Sequence, residues 1–270
     1  MKKIYDNNPY LILGVHRSGT SLMSRIFEKA GVFTGKNQNI NNEAKFFFDL
    51  NNQTLKKNNS TAYNFGTFLS KLQNEKFINE QAEQLKKTVE KKINSNFFGI
   101  KKLIKYQFAE EKIKWGFKDP RTVLLLPVWE KIFAEAKLLI IFRNPVDVCM
   151  SIYYFEQKRY LNKLKKRPDL KFEMQLENAF EVWENFTKIL LATSKSDNHN
   201  SLTVKYEDLS KNEVIQNIIE FTESKTDTKE IAKMIKRKTT AYKKPEGYER
   251  FLKLVKNDEL VNKVYPDSEF

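Results

Sequence analysis

Apolar and polar positions along the chain alternate in blocks that predict strands and helices in turn. The predicted strands are short apolar runs at Tyr10–Leu13, Trp115–Phe117, Leu138–Phe142 and Ser201–Tyr206. Between and after them, apolar residues recur three or four positions apart, which places side chains on one face of a helix. The residues with this spacing are Leu22, Met23, Ile26, Phe27 and Ala30; Ile78, Ala82, Leu85, Val89 and Ile93; Leu176, Ala179, Phe180, Trp183, Phe186 and Leu190; and Val214, Ile215, Ile218, Ile219 and Phe221.

This alternation of strands with helices predicts a parallel sheet with right-handed crossovers. The continuous apolar run Leu138–Phe142 is typical of a strand that is buried on both faces. We therefore expect the α/β class, as a three-layer P-loop-like fold whose central parallel sheet is flanked by helices. The chain shows no repeat and no linker, so residues 1–270 are expected to form a single domain. Residues 37–75 and 153–175 lack a clean period and are expected to be excursions from it.

Composition and charge narrow the class of protein. Lys and Arg number 48 against 34 acidic residues, a net charge of +14. This excess favours an anionic partner such as a nucleic acid, a membrane surface or a nucleotide, unless it only reflects lysine-rich solvated faces. The single cysteine, Cys149, excludes an internal disulfide and suits a reducing compartment. Residues Met1–Asn8 are polar, and no apolar run reaches 18 residues, so we expect a cytoplasmic protein without a transmembrane segment.

The first candidate for a binding site is the loop between the first strand and the first helix. Gly14–Ser21 reads GVHRSGTS, which has both glycines of the phosphate-binding pattern GxxxxGK[ST] but has Thr20 in place of the lysine. That lysine steadies the β- and γ-phosphates of a nucleoside triphosphate. A single 5′-phosphate, bound by backbone N–H groups and by the hydroxyls of Ser18, Thr20 and Ser21, suits the loop better.

Two later strand ends share one design. Phe117–Pro120 reads FKDP and Phe142–Pro145 reads FRNP. Asp and Asn are strong helix caps, and Pro is favoured at the first helical position. Each segment should therefore place a cation, Lys118 or Arg143, at the carboxyl end of a strand. With Arg17 they predict three cations along one edge of the sheet, where ligands of parallel sheets bind.

At this point the chain resembles a known family, the sulfotransferases. Gly14–Thr20 looks like their 5′-phosphosulfate loop, and Phe142–Ser151 looks like their 3′-phosphate segment, including the spacing from Arg to Ser. The KDPR run at Lys118–Arg121 and the VKYEDL run at Val204–Leu209 are similar to bacterial and protein-tyrosine members. The resemblance covers about residues 9 to 209.

The resemblance implies an enzyme that moves a sulfuryl group from 3′-phosphoadenosine 5′-phosphosulfate to an acceptor hydroxyl by in-line displacement and releases adenosine 3′,5′-bisphosphate. The acceptor would be a glycan or a small molecule, and residues 37–75 and 153–175 would line its pocket. The donor-binding residues implied are Arg17 at the sulfuryl group, Ser18, Gly19, Thr20 and Ser21 at the 5′-phosphate, Arg143 and Ser151 at the 3′-phosphate, and Tyr206 near the adenine.

The catalytic residues that it implies are Arg17, Lys118 and Glu43. Lys118 would assist the leaving group or the sulfuryl group, and Glu43 is the candidate base, with His16 as the alternative. The cytosolic branch of the family differs: it has Lys where this chain has Arg17, a catalytic histidine that is missing near Lys118, and a C-terminal Arg-Lys-Gly motif that residues 237–239 only echo. Two histidines and one cysteine without metal-ligand spacing imply no metal.

Two other functions remain open from the residues alone. A P-loop kinase that uses ATP and Mg²⁺ on a small molecule would need the lysine that Thr20 replaces. A module that binds a polyanion or nucleic acid would use the basic stretch at residues 158–171, which alternatively suits an acidic glycan acceptor. We expect no nucleic-acid partner, and the sequence indicates no oligomeric state.

Overall fold

The computed structural model describes residues 8–107, 112–196, 200–235 and 242–266. The motif-like residues 237–239 lie outside this part. Four parallel strands form one sheet in the order β2-β1-β3-β4. The strands are β1 (Tyr10–Gly14), β2 (Gly116–Lys118), β3 (Lys137–Phe142) and β4 (Ser201–Lys205). The predicted α/β class with a central parallel sheet is confirmed.

Helices cover the sheet and extend beyond it. In chain order, the helical elements are α1 (Thr20–Lys29), α2 (Lys45–Lys57), α3 (Gly66–Lys71), α4 (Glu75–Lys92), a π-helical turn (Ile93–Phe98), α5 (Ile100–Gln107), a 3-10 turn (Pro120–Val123), α6 (Leu126–Ile132), α7 (Pro145–Leu164), α8 (Leu176–Ser194), a second 3-10 turn (Tyr206–Asp208), α9 (Asn212–Phe221), α10 (Thr228–Ala232), α11 (Tyr248–Lys256) and α12 (Glu259–Val264).

The protein has three layers: the sheet and a layer of helices on each of its faces, with one apolar cluster between the sheet and each helical layer. Successive side chains of a strand point to opposite faces of the sheet. Leu11 and Leu13 of β1 therefore pack into one cluster, with residues of α2, α4, α6 and α8. Ile12 of β1 packs into the other, with residues of α1 and α9. Both faces of the sheet are buried, as the continuous apolar strands predict.

Two segments are more regular than their sequences predict. Within residues 37–75, α2 runs for 13 residues. Its core-facing side includes the buried polar residues Asn51 and Thr54, which interrupt the apolar period. Within residues 153–175, α7 continues to Leu164. After it, the chain folds back, and the Tyr160 hydroxyl donates to the carbonyl oxygen of Leu170.

The carboxyl ends of all four strands meet at one edge because the strands are parallel. This edge brings together the loop after Gly14, Lys118 at the end of β2, Arg143 after β3 and Tyr206 after β4. The predicted caps on this edge form: the Asn144 side chain accepts hydrogen bonds from the first turn of α7, and Asp119 accepts one from the backbone of Arg121. The fold thus places the predicted cations at one edge.

Candidate active site at the carboxyl edge of the sheet

The loop after β1 takes a conformation that leaves the start of α1 open. Arg17 and Gly19 both have positive φ values, 68° and 100°, and the Ser18 N–H donates to the carbonyl oxygen of Val15 over 3.1 Å. α1 begins directly after Gly19. The first N–H groups of a helix have no partner within it and carry its positive dipole end. The loop can therefore bind an anion at the first turn of α1.

The ring of Tyr206 packs so close to Gly19 that no side chain fits at this position. A Cβ atom at this position would lie 2.6 Å from Cε2 of Tyr206, and closer still to its Cδ2. The same ring lies under the Arg143 guanidinium, 4.2 Å from its carbon. Tyr206 therefore supports both the loop after β1 and Arg143.

Arg143 is held in place from several sides. It donates to the carbonyl oxygen of Arg17 over 3.1 Å and to Asp147 over 3.0 Å. Its own carbonyl oxygen accepts a hydrogen bond from the Trp183 indole over 3.1 Å. The contacts with Arg17, Asp147 and the Tyr206 ring give the guanidinium a defined position, and the Trp183 bond fixes the backbone after β3.

Arg17 turns toward α7. Its Nε donates to Ser151 Oγ over 3.1 Å, and its guanidinium lies 5.1 Å from the centre of the Phe155 ring. The family resemblance implies that Arg17 contacts the sulfuryl group and Ser151 the 3′-phosphate, and in the structure a hydrogen bond joins the two side chains. Because Arg17 is exposed, its side chain can reach more than one point of the site.

Lys118 and Glu43 form a buried pair across the site from Arg143. The side chains are 1% and 6% exposed, and Lys118 Nζ lies 3.6 Å from Glu43 Oε1. Nζ also donates to the carbonyl oxygen of Asn41 over 2.6 Å and to Ser21 Oγ over 3.4 Å. Burial lowers the pKa of Lys118, and the nearby Glu43 carboxylate partly opposes this shift. The predicted base therefore lies beside the predicted catalytic cation.

One charged residue at this position was not singled out from the sequence. Arg121 is buried and makes a two-pronged contact with Asp119, while its Nη2 lies 3.5 Å from Glu43 Oε2. The KDPR run contains Arg121, but its role depends on the loop that carries Glu43. That loop is distant in sequence and has no period to place it.

A cavity of about 180 Å³ connects these residues. Of the predicted site residues, eight line it: Arg17, Gly19, Thr20, Ser21, Glu43, Lys118, Arg143 and Ser151. Ser18 and Tyr206 are not among the lining residues: Ser18 is fully buried, and the Tyr206 ring packs against Gly19. The three cations that the strand ends predict thus share one cavity.

His16 also lines the cavity and is the alternative base considered from the sequence. Its half-buried ring packs against Tyr63 and Phe186, with centroids 5.3 and 5.6 Å away. Burial lowers the pKa of His16 well below its usual value, and the positive charge of Arg121 adds to this effect. Both effects favour the neutral form of the His16 ring.

Unpaired polar atoms cluster around this cavity. Among the described residues, four buried side-chain atoms have no hydrogen-bond partner: His16 Nε2, Ser18 Oγ, Arg143 Nε and Thr187 Oγ1. Three of the four belong to the loop after β1 or to Arg143. Buried polar groups are nearly always paired, so this clustering fits a site whose bonds a phosphate-bearing ligand completes.

A second, larger concavity of about 1120 Å³ lies at the opposite edge, near Tyr10 and Lys137 where β1 and β3 begin. It contains none of the predicted site residues. In the part of the chain that the structure describes, no group of three or more His, Cys, Asp or Glu residues could hold a metal ion. No helix in the same ranges has the length and apolar character to cross a membrane.

Comparison with known proteins assigns the family. The model of the sulfotransferase family matches residues 9–227, and no curated protein sequence matches the chain significantly. Similar solved structures include the sulfotransferase domain of the curacin biosynthetic pathway, with 16% identity, TM-score 0.48, and coverage of 98% of this chain and 93% of that one. Another is the sulfotransferase domain of the Synechococcus PCC 7002 olefin synthase, with 15% identity, TM-score 0.44, and coverage of 94% and 98%.

A third is retinol dehydratase, solved in complex with androsterone and the inactive cofactor PAP, with 15% identity, TM-score 0.36, and coverage of 85% and 63%. Since all three TM-scores are below 0.5, these likenesses add no weight to the assignment. The family model alone spans most of the chain, including the loop, both strand ends and Tyr206. The chain therefore belongs to the sulfotransferase family.

Proposed function

We propose that this sulfotransferase binds 3′-phosphoadenosine 5′-phosphosulfate in the cavity at the carboxyl edge and passes its sulfuryl group to an acceptor hydroxyl. The observation that carries the proposal is the convergence of Arg17, Lys118 and Arg143 on one cavity. Grouping like charges at one edge brings no stability by itself, whereas it suits a ligand with anionic groups at both ends.

The donor contacts are assigned residue by residue. Arg143 and Ser151 are proposed to bind the 3′-phosphate, because both stand at the end of the cavity formed by β3 and α7. Ser18, Gly19, Thr20 and Ser21 are proposed to hold the 5′-phosphate at the start of α1. Tyr206 is proposed to border the adenine while it supports Gly19 and Arg143 from below.

In the transfer step, a bond forms between the acceptor oxygen and sulfur while the bond from sulfur to the 5′-phosphate oxygen breaks, and adenosine 3′,5′-bisphosphate leaves. Arg17 and Lys118 stabilise the charge on the oxygens around sulfur. Glu43 takes the proton of the acceptor hydroxyl, and its place beside Lys118 supports this role. No metal is assigned to the step, and the missing loop lysine at Thr20 disfavours the ATP-dependent kinase alternative.

Glu43→Gln tests the base. We expect it to keep the affinity for adenosine 3′,5′-bisphosphate and to lower turnover by about 100-fold or more, since general-base catalysis contributes on that order. Turnover is followed as label transferred from ³⁵S-labelled donor to the components of a cell extract, which also identifies the acceptor. Glu90→Gln, an exposed change on α4, is the control. Undiminished transfer by Glu43→Gln would move the base to another residue.

For the acceptor we propose an acidic glycan. Ser151, Phe155, Arg159 and Lys163 follow one another at intervals of four along α7, so they share one face that leads away from the cavity. Arg159 pairs with Glu156 over 2.7 Å. Sulfation of chondroitin but not of dextran at low salt, with the preference reduced at high salt, would support this class. Equal use of both glycans would exclude it.

A cytoplasmic location is proposed from the single, buried cysteine, which suits a reducing compartment.

A further inference from the structure

The carboxylate of Glu43 contacts two cations, one at each oxygen. Lys118 Nζ lies 3.6 Å from Oε1, and Arg121 Nη2 lies 3.5 Å from Oε2. The carboxylate is almost completely buried. Asn39 Nδ2 also donates to Oε2 over 2.5 Å. A buried charge is costly unless it is paired, so a cation that stays beside Glu43 stabilises the carboxylate until it takes up the proton.

The two cations are held very differently. Arg121 meets the Asp119 carboxylate at both oxygens, with Nε 3.1 Å from Oδ2 and Nη2 2.9 Å from Oδ1. Its guanidinium also lies 4.1 Å from the centre of the Phe48 ring. A planar guanidinium in a two-pronged contact has little freedom, whereas a lysine ammonium on a four-carbon stem can turn.

The contact partner of Arg121 is itself anchored in the core. Asp119 Oδ2 accepts a hydrogen bond of 2.8 Å from Asn51 Nδ2, which also donates to Thr122 Oγ1. Asn51 Oδ1 accepts one of 2.8 Å from the Trp129 indole. Asn51, Asp119 and Trp129 are all fully buried. A continuous polar chain therefore runs from Trp129 through Asn51 and Asp119 to Arg121, and ends at Glu43.

We infer that Arg121 is a positioning residue that holds the Glu43 carboxylate in place while Lys118 turns from Glu43 to the sulfuryl group. The inference rests on the proposed role of Glu43 as base. Lys118 contacts Glu43, Asn41 and Ser21 at once. If it turns to the donor, it leaves Glu43, and the carboxylate then needs a second cation beside it. Arg121 can be that cation, because its two-pronged contact with Asp119 holds its guanidinium beside Glu43.

The test uses the full chain with Arg121→Lys and Arg121→Gln. Arg25→Gln, which removes an exposed arginine of α1, is the control. Turnover is measured in two assays. One follows the labelled sulfate released when water is the acceptor, and the other follows the labelled product formed with the acceptor found in the extract. Donor-site binding is measured by calorimetry with adenosine 3′,5′-bisphosphate, and the position of Glu43 by crystal structures of the same complexes.

We expect Arg121→Gln to keep the affinity for the bisphosphate and to lower turnover by roughly 10- to 100-fold, because a displacement of about 1 Å in a reacting group costs on that order. Arg121→Lys, which keeps the charge but not the two-pronged contact, should recover part of the rate. In the Arg121→Gln crystal structure, the Glu43 carboxylate should move away from its place beside Lys118. A purely structural role would lower the unfolding temperature and leave the turnover of the folded fraction unchanged.

If Arg121→Gln does not fold, Phe48→Leu removes only the ring beneath the guanidinium and should give a smaller loss of turnover in the same direction. An unmoved Glu43 carboxylate, or wild-type turnover in the folded variants, overturns the inference. The result for Glu43→Gln separates the two proposals: if that variant is inactive while Arg121→Gln is fully active, Glu43 remains the base and only the role of Arg121 is lost.

Discussion

Gly19→Ala tests whether the phosphate loop and Tyr206 act together. Gly19 has a φ of 100°, where an L side chain is strained, at a cost of roughly 1–2 kcal/mol. The new Cβ would also lie 2.6 Å from Cε2 of Tyr206, so the ring must shift. Forced overpacking costs about 1–3 kcal/mol. Together these give roughly 2–5 kcal/mol, a large part of the ~5–15 kcal/mol by which a domain is stable.

Thermal unfolding and calorimetry measure the two consequences. Each kcal/mol lowers the midpoint by about 2–4 °C in a domain of roughly 150–250 residues, so we expect a loss of about 4–20 °C. The displaced Tyr206 ring packs under the Arg143 guanidinium, so Arg143 should shift as well. The affinity for adenosine 3′,5′-bisphosphate should therefore also fall, on the order of tenfold, or ~1.4 kcal/mol.

Two other glycines separate the effects. Gly31 has a φ of 89° but open space where a Cβ would lie, so Gly31→Ala reports backbone strain without a clash. Gly66 has neither constraint, so Gly66→Ala should be neutral or slightly stabilising. The reasoning fails if Gly19→Ala unfolds no earlier than Gly31→Ala, or if it binds the bisphosphate as tightly as the wild type.

Two further changes address the cations. Burial places the pKa of Lys118 below the ordinary lysine value of 10.5, so this charge is lost at a lower pH than that of an exposed lysine, and turnover should fall on the alkaline side accordingly. Lys118→Arg should move that decline to higher pH in a pH–rate profile. An unchanged alkaline limb would show that the charge of Lys118 does not cause the decline. Arg143→Ala should weaken adenosine 3′,5′-bisphosphate far more than adenosine 5′-phosphate in calorimetry, and an equal loss for both would refute the 3′-phosphate assignment.

The edge of the sheet could be predicted from the sequence because local signals determine it. Gly14 and Gly19 mark a turn between a strand and a helix, and the FKDP and FRNP runs place a cation, a cap and a helix start at fixed offsets. The parallel order of the strands then brings Arg17, Lys118 and Arg143 together without further information. These are the parts of the site that the structure reproduces most closely.

What could not be predicted depends on contacts between distant segments. For residues 37–75 the sequence predicts only loops and short helices, and the 13-residue length of α2 was not predicted. The buried amide of Asn51 occupies an apolar position there, and its partners Asp119 and Trp129 lie 68 and 78 residues away. Arg121 looks like an ordinary charge after a proline until Glu43 is brought beside it. The link between Arg17 and Ser151 is likewise a tertiary contact, across 134 residues.

The central claim is that the cavity selects a nucleotide with phosphate at both the 5′ and 3′ positions of its ribose. The most direct measurement is a thermal-shift comparison of the wild-type protein with adenosine 3′,5′-bisphosphate and with ATP and Mg²⁺, each over a range of concentrations. A ligand that binds only the folded state raises its unfolding temperature, and the rise grows with the ratio of ligand concentration to Kd. We predict a clear rise with the bisphosphate and little with ATP and Mg²⁺. A larger rise with ATP that depends on Mg²⁺ would contradict the account.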